Sequence, residues 1–423
     1  MLTGNENGSV SKLITAEKSD AVPNGSKLEI LTFSTLFPNA STPNHGVFVA
    51  NRLRHLLRAE PIHAQVVAPV PWFPSRSGIF GKYGLMAAVP DTEDYRGINV
   101  RHPRFPVIPK FGMSIAPTLL FAACLPIMRQ IQRERDFEII DAHYFYPDGV
   151  AAVMLGRVLR KPVVITARGT DINLIPRHRL PRQQIKWAAR KASGLVAVSQ
   201  ALKDALITLG VEPGRIEVLR NGVDLEIFRP DDRESARAQL NLNGPTLLSV
   251  GQLIERKANH LSIEALQFLP EFELLLVGEG PEKARLQLLA RQLRVTARVR
   301  FLGSISHEKL APIYSAADAL LLASSREGWP NVLLEAMACG TPVVASDIWG
   351  NPEVVTTPEA GCLMDDRTPE GIANAVRRLF AALPKRSATR QYAERYSWQD
   401  TSDGQLRLFE RVVQSHRVSE TQA

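Results

Sequence analysis

Cysteine is scarce in this chain. Its 423 residues hold three, Cys124, Cys339 and Cys362, which lie far apart in apolar runs with no C-x-x-C spacing. That argues against a disulfide framework or a zinc site and for a reducing compartment. No D-x-D tripeptide occurs, and no cluster of histidines and carboxylates has metal-ligand spacing. Residues 1–26 are rich in Asn, Ser, Gly, Lys and Glu and lack an apolar core, so they read as a disordered lead rather than a secretory signal. A long apolar run is also missing. Phe111 to Met128 comes nearest, but Pro117 and Pro126 interrupt it and Gly112 and Ser114 thin it. A packed or interfacial helix is therefore expected there instead of a membrane span. The expected location is the cytoplasm.

What is present suits a globular protein: 45% of residues are hydrophobic and 22% charged, and the length exceeds one ordinary core. The net charge of +8 is unevenly placed, because residues 27–230 carry 27 Lys and Arg against 16 Asp and Glu. Nucleic acid, an anionic membrane surface or a phosphorylated substrate could each use that excess, and so could a merely solvated basic face. Around one helical segment stand Arg177, His178, Arg179, Arg182, Lys186, Arg190 and Lys191.

Short apolar runs at Leu28 to Phe33, His63 to Val70, Phe137 to Ala142, Pro162 to Ala167 and Gly194 to Ser199 read as buried parallel strands. Helical periodicity fills the intervals, as in Val47 to Arg58, Val150 to Leu159 and Gln200 to Leu209. After the polar stretch Arg229 to Arg233 a second series begins, with strands expected at Thr246 to Gly251, Glu273 to Gly278, Arg298 to Gly303, Ala319 to Ala323 and Pro342 to Ser346. Two successive βα series imply an α/β protein with two doubly wound, Rossmann-like sheets facing across a cleft, where ligands bind beyond the carboxyl ends of the strands. The expected division is a lead at 1–26, an acceptor-side domain at 27–225 and a donor-side domain at 226–398. A terminal helix at 399–416 returns to the first domain, and a linker near 222–232 serves as hinge.

Glu327 and Glu335 are the most telling residues. In Glu327-Gly328-Trp329-Pro330-Asn331-Val332-Leu333-Leu334-Glu335-Ala336 a loop turns into an apolar helix, and Pro330 fits the first helical turn. Leu333, Leu334, Ala336, Met337 and Ala338 surround Glu335 with hydrocarbon, where a carboxylate needs a hydrogen-bonding or charged partner. A ligand's hydroxyls could be that partner; a helix-start acid plus a structural ion pair is the plainer alternative.

This stretch, continued by Met337-Ala338-Cys339-Gly340-Thr341-Pro342-Val343-Val344, resembles the E-x7-E signature of glycosyltransferase family 4, which comprises retaining, nucleotide-sugar-dependent enzymes of the GT-B fold. Val277-Gly278-Glu279-Gly280-Pro281, Asn221-Gly222-Val223-Asp224 and Pro43-Asn44-His45-Gly46 extend the likeness over about residues 28 to 410, most strongly in the second half. The resemblance implies that Glu327 contacts the donor's sugar hydroxyls and Glu335 its ribose. Charge-assisted hydrogen bonds from adjacent hydroxyls would offset the burial of each carboxylate. Gly328, Asn331, Val332 and Leu333 would present N–H groups at a helix N-terminus to the donor diphosphate. Gly251, Arg256, Lys257, Glu279 and Gly303 complete the expected donor site from the strand ends, and Gly46 from a loop in the first domain, where backbone without a Cβ can approach phosphate.

The chain departs from the family pattern at two places. In Gly251-Gln252-Leu253-Ile254-Glu255-Arg256-Lys257 an Arg is expected directly after Gly251, whereas Lys257 matches. Where many relatives carry T-x-H-G, this chain reads Thr166-Ala167-Arg168-Gly169-Thr170-Asp171. Arg168 cannot act as a general base but can neutralise phosphate. Asp171, which could equally cap the following helix, and His143, beside Tyr144 and Asp148, are candidates for handling the acceptor's proton.

The expectation is a retaining glycosyltransferase that moves a hexose-type sugar from a UDP- or GDP-sugar to an acceptor hydroxyl. No metal or cofactor is expected, since Lys257 and helix N-termini would replace a divalent cation. The likeness is to bacterial polysaccharide-biosynthesis enzymes. The basic first half suggests a lipid-linked or glycan acceptor and peripheral association with an anionic membrane, at the inner face of the plasma membrane. Nucleic-acid binding would explain the charge but none of the cleft motifs. Sucrose-type or glycogen-type transfer, a GT-B sugar-nucleotide epimerase and a catalytically lapsed sugar-nucleotide-binding protein are the alternatives.

Overall fold

The computed structural model describes residues 27–59, 62–107 and 112–422; the lead at 1–26 lies outside them. The first sheet runs, from edge to edge, Ile216–Val218, Gly194–Ala197, Val163–Ala167, Ile139–His143, Leu28–Phe33, Ile62–Val67, Ile98–Arg101 and Thr92–Tyr95. All neighbours are parallel except the last pair, an antiparallel hairpin. Ile139–His143, Val163–Ala167 and Gly194–Ala197 are buried at every position, as expected of parallel strands with helices on both faces.

The second sheet is wholly parallel, in the order Val299–Gly303, Glu273–Val277, Thr246–Val250, Ala319–Leu322, Val343–Ser346 and Gly361–Met364. Both sheets are doubly wound, and the strands expected from apolar runs fall within a residue or two of their places. The run from His63 breaks at Val67; Val70–Pro71 then pairs with Arg104–Phe105 in a separate ribbon. Sequence reasoning missed Thr92–Tyr95, whose Thr-Glu-Asp-Tyr has no apolar run, and the brief Ile216–Val218 and Gly361–Met364, which offer too little pattern to read.

Gly112–Glu134 is the one helix among the described residues long and apolar enough to cross a membrane. Here one face of it packs against the core, while Met113 and Ile115 near its start are exposed. Pro117, Leu120, Cys124, Met128 and Ile131 recur at three- and four-residue steps, and this buried face meets the helix Val150–Leu159. The terminal helix spans Trp398–Thr421, longer than expected. Its Leu408, Phe409, Val412 and Val413 join Ile30, Val49 and Leu53 in one apolar cluster, so the chain's end rests on the first sheet. The linker meets this return crossing where the Val223 N–H donates to the Tyr396 carbonyl at 2.9 Å.

Candidate active site

A cavity of about 560 Å³ opens between the carboxyl ends of the two sheets. Asn44, His45 and Phe48 line it from the first sheet's side, and Gly251, Gln252, Glu279, Asn331, Val332 and Glu335 from the second. Across its mouth the Asn44 amide donates to Ser304 Oγ at 3.3 Å, and Arg96 pairs with Glu308.

Glu335 sits on the helix Asn331–Ala338, which begins immediately after Pro330; the proline occupies the cap position and not the first turn itself. The carboxylate already has partners. Its Oε1 lies 3.0 Å from His307 Nε2, and its Oε2 accepts the Tyr314 hydroxyl at 2.8 Å. Burial works against a charged imidazole, but the charge and hydrogen bond of Glu335 outweigh it and raise the His307 pKa. The burial problem read from the sequence is thus met by protein groups, while the carboxylate still borders the cavity. His307 was not foreseen. Its signal was positional, four residues beyond the strand end at Gly303, where ligand-facing loops start.

Glu327 lies on the loop before that helix. Lys257 donates to its Oε1 at 2.7 Å, and Arg256 Nη1 stands 3.0 Å from the same oxygen. Burial opposes ionisation, yet the two cations prevail and hold this carboxyl below the usual range. Arg256 also donates to the Arg326 carbonyl at 2.7 Å, which fixes it beside Glu327. Lys257 packs against Gly251 at the end of Thr246–Val250, so the trio adjoins the cavity next to Gln252.

The first-sheet candidates behave differently. His143 is fully buried, with Nδ1 accepting from Arg168 Nη2 at 2.6 Å and Nε2 3.0 Å from Asp141 Oδ2. Burial, more than offsetting the pull of Asp141, drives its pKa down to about 4. A neutral imidazole leaves Nδ1 free to accept from Arg168, while Nε2 stands beside Asp141 without an aligned hydrogen bond. Arg168 Nη1 donates to Asn221 at 3.1 Å, and Asn221 in turn donates to Asn331 of the second domain at 3.2 Å. Asp171, also fully buried, accepts the N–H groups of Phe145, Arg168 and Gly169 at 2.6 to 3.2 Å. It shapes the loop that precedes its own short helix, which differs from capping the segment after it. The structure therefore draws His143, Arg168 and Asp171 into a buried polar network behind the cleft and places none of them on the cavity wall.

The remaining donor-site candidates separate. Asn331, Val332, Glu279 and Gly251 line the cavity, and Gly303 lies against Glu279. Leu333 is completely buried in the core and presents no side chain to the cavity. Gly46 has φ +68°, and a Cβ there would meet the Leu36 backbone at 2.3 Å, so its missing side chain accommodates its own loop and not a ligand.

Residues 84–227 match the family described as Glycosyltransferase Family 4, and residues 231–396 match Glycosyl transferases group 1. D-inositol 3-phosphate glycosyltransferase of Rhodococcus erythropolis is 30% identical over 366 residues, 79% of this chain and 82% of that protein. Its counterpart in Mycolicibacterium gilvum is 33% identical over 307 residues, covering 67% of this chain and 68% of the relative. The chain belongs to glycosyltransferase family 4. A third such enzyme, from Mycobacteroides abscessus, is 34% identical, with the match spanning 54% of each chain. Among solved structures, sucrose-phosphate synthase from Thermosynechococcus elongatus superposes with a TM-score of 0.75 at 22% identity, over 92% of this chain and 100% of that one. Anabaena Alr3699/HepE in complex with UDP gives 0.68 at 20%, over 91% and 100%. At these identities the likeness is of fold, and the fold of this glycosyltransferase is GT-B. The protein is a transferase.

Proposed function

We propose that this glycosyltransferase moves a hexose-type sugar from a nucleotide-sugar donor, with retention at the anomeric carbon, to a hydroxyl of an anionic acceptor. The observation that carries the reading is the placing of the two signature glutamates, Glu335 on the cavity wall and Glu327 on the loop leading into the same helix, beside Lys257, which packs against the cavity-lining Gly251. Glu335, braced by His307 and Tyr314, borders the part of the cavity that would take a nucleoside, and Glu327 stands with Lys257 and Arg256 at the adjoining end. A ribose would hydrogen-bond to Glu335, the diphosphate would lie between Gly251, Lys257 and the N-terminus of Asn331–Ala338, and the sugar would reach Glu327.

Lys257 and Arg256 are two fixed cations where charge develops on the leaving diphosphate, which supports transfer without a metal ion. Because His143 and Asp171 are enclosed, the departing phosphate is the group we assign to receive the acceptor's proton. Orientation in the closed cleft supplies much of the remaining rate. The basic first half supports a phosphate-bearing acceptor held at an anionic membrane face, in the assembly of a bacterial surface glycan. The relatives named for D-inositol 3-phosphate also act on a phosphorylated acceptor.

The test is calorimetric titration with UDP- and GDP-sugars, followed by product analysis with phosphorylated acceptors. One donor should bind, Glu335→Ala should weaken it at least tenfold, and the product should keep the donor's anomeric configuration. Unchanged donor binding in Glu335→Ala, or an inverted product, would overturn the reading.

A further inference from the structure

Two buried arginines set the polarity of one part of the donor cavity's wall. Arg52 and Arg168 are both enclosed in the first domain, and a guanidinium can only donate. Arg168 Nη1 reaches Asn221 Oδ1 at 3.1 Å, and Arg52 Nη1 reaches the same oxygen at 3.4 Å. The two cations therefore fix which way round the Asn221 carboxamide sits. Its oxygen faces them, and its Nδ2 faces the second domain.

That orientation passes on to Asn331. Asn221 Nδ2 donates to Asn331 Oδ1 at 3.2 Å, so the Asn331 carboxamide gives its oxygen to the domain junction and keeps its own Nδ2 for the cavity, which Asn331 lines. The Asn331 backbone N–H donates to the Trp329 carbonyl at 3.1 Å and is not offered to a ligand, contrary to the expectation from the sequence. Glu335, one turn on along the same helix face, is engaged by His307 and Tyr314. What Asn331 adds to the cavity is a neutral side-chain donor whose direction is dictated by buried charges two hydrogen bonds away.

The same rule holds on the far side of the arginines. Arg52 Nε donates to Gln405 Oε1 at 2.6 Å, so Gln405 turns its Nε2 to the acceptor Asp141 Oδ2 at 3.1 Å. The arginines are themselves held. Arg168 stands with its guanidinium carbon 5.4 Å from the centre of the Phe48 ring, and Phe48 is on the cavity wall. The Trp329 indole N–H donates to the Asn221 carbonyl at 3.0 Å, so Asn221 is gripped by its backbone as well as its side chain. Arg168, at the position where a histidine is expected, thus acts on the cavity at one remove, through Asn221.

We infer that the Asn331 carboxamide gives an N–H to an oxygen of the donor's diphosphate, and that Asn221 and Arg168 are positioning residues that aim it. The inference rests on the nucleotide-sugar reading above and adds to that site a side-chain contact of fixed polarity.

Equilibrium titration with UDP, GDP, uridine and guanosine tests this. Asn331→Ala should weaken the preferred diphosphate about tenfold, the size of one hydrogen bond to a charged group, and leave its nucleoside within about twofold. Asn331→Asp still accepts from Asn221 but turns a carboxylate oxygen to the cavity; it should weaken the diphosphate further while Tm, favoured by an acid in a first helical turn, does not fall. Asn221→Asp still accepts from both arginines but gives Asn331 no donor, so the Asn331 amide must turn round. It should cost about tenfold alone and less than about twofold beside Asn331→Ala. Arg168→Lys, which still donates, should hold the diphosphate more tightly than Arg168→Met. Unchanged diphosphate affinity in both Asn331 variants, or an equal loss of nucleoside, overturns the contact and leaves the nucleotide-sugar reading standing. A full cost of Asn221→Asp beside Asn331→Ala, or equal losses in the two Arg168 variants, overturns the positioning roles. A wild type that binds neither diphosphate overturns the nucleotide-sugar reading and the contact with it.

Discussion

Gly328 and Arg168 meet backbone to backbone where the two domains touch: a Cβ on Gly328 would stand 1.9 Å from the Arg168 carbonyl oxygen. No side chain fits there, so the loop carrying Glu327 can approach the first domain only with glycine at this position. The same loop is pinned by the Trp329 indole N–H, which donates to the Asn221 carbonyl at 3.0 Å.

Gly328→Ala should therefore push the domains apart. Overpacking of this kind costs about 1–3 kcal/mol, and a misplacement on the order of 1 Å at a reacting centre costs about a hundredfold in rate. Thermal denaturation and kcat/KM read the two effects together. A variant with wild-type Tm and turnover would show that the contact is not needed.

Lys257→Ala leaves Glu327 with Arg256 alone and removes one cation from the proposed leaving-group site. Transfer is expected to fall about a hundredfold, with a smaller change in donor KM. The wild type should keep its full rate in excess EDTA. Activity abolished by chelator and restored by magnesium or manganese would refute metal-independent transfer.

His307 gives a pH signature. Its pKa is raised in the fold by Glu335 against the effect of burial, so it binds protons more readily folded than unfolded. The stability this contributes is fully present below the ordinary imidazole pKa and is lost as pH rises through the raised value. The Tm advantage of wild type over His307→Gln should be greatest in mild acid and shrink toward alkaline pH. An advantage independent of pH would contradict the ion pair.

Asp148 and His143 should show opposite slopes. Burial pushes the Asp148 carboxyl up to about 7, despite hydrogen bonds from Thr35, so wild type should lose stability relative to Asp148→Asn as pH rises from about 4 to 7. His143, held down to about 4, is protonated more readily in the unfolded chain. Relative to His143→Gln, wild type should lose stability as pH falls from about 6.5 to 4. Parallel Tm profiles for the two variants would refute these buried environments.

The sequence by itself determined the alternating βα order, because buried parallel strands write continuous apolar runs and helices write a 3.6-residue period. It also singled out Glu327, Glu335 and Lys257, through their match to the family's E-x7-E signature and its lysine position, together with the awkward burial of Glu335 in an apolar helix. Contacts between distant segments were left to the tertiary structure. Arg168 and Asp171 are three residues apart and His143 stands 25 before Arg168, yet only folding shows Arg168 joined to His143 and to Asn221 and closed off from the cavity. His307 and Tyr314 reach Glu335 across 28 and 21 residues of chain, and the Asn221 amide reaches Asn331 across 110. Periodicity encodes which face of an element is buried. Which polar group meets which in the interior depends on how whole sheets and domains pack, and no local pattern carries that.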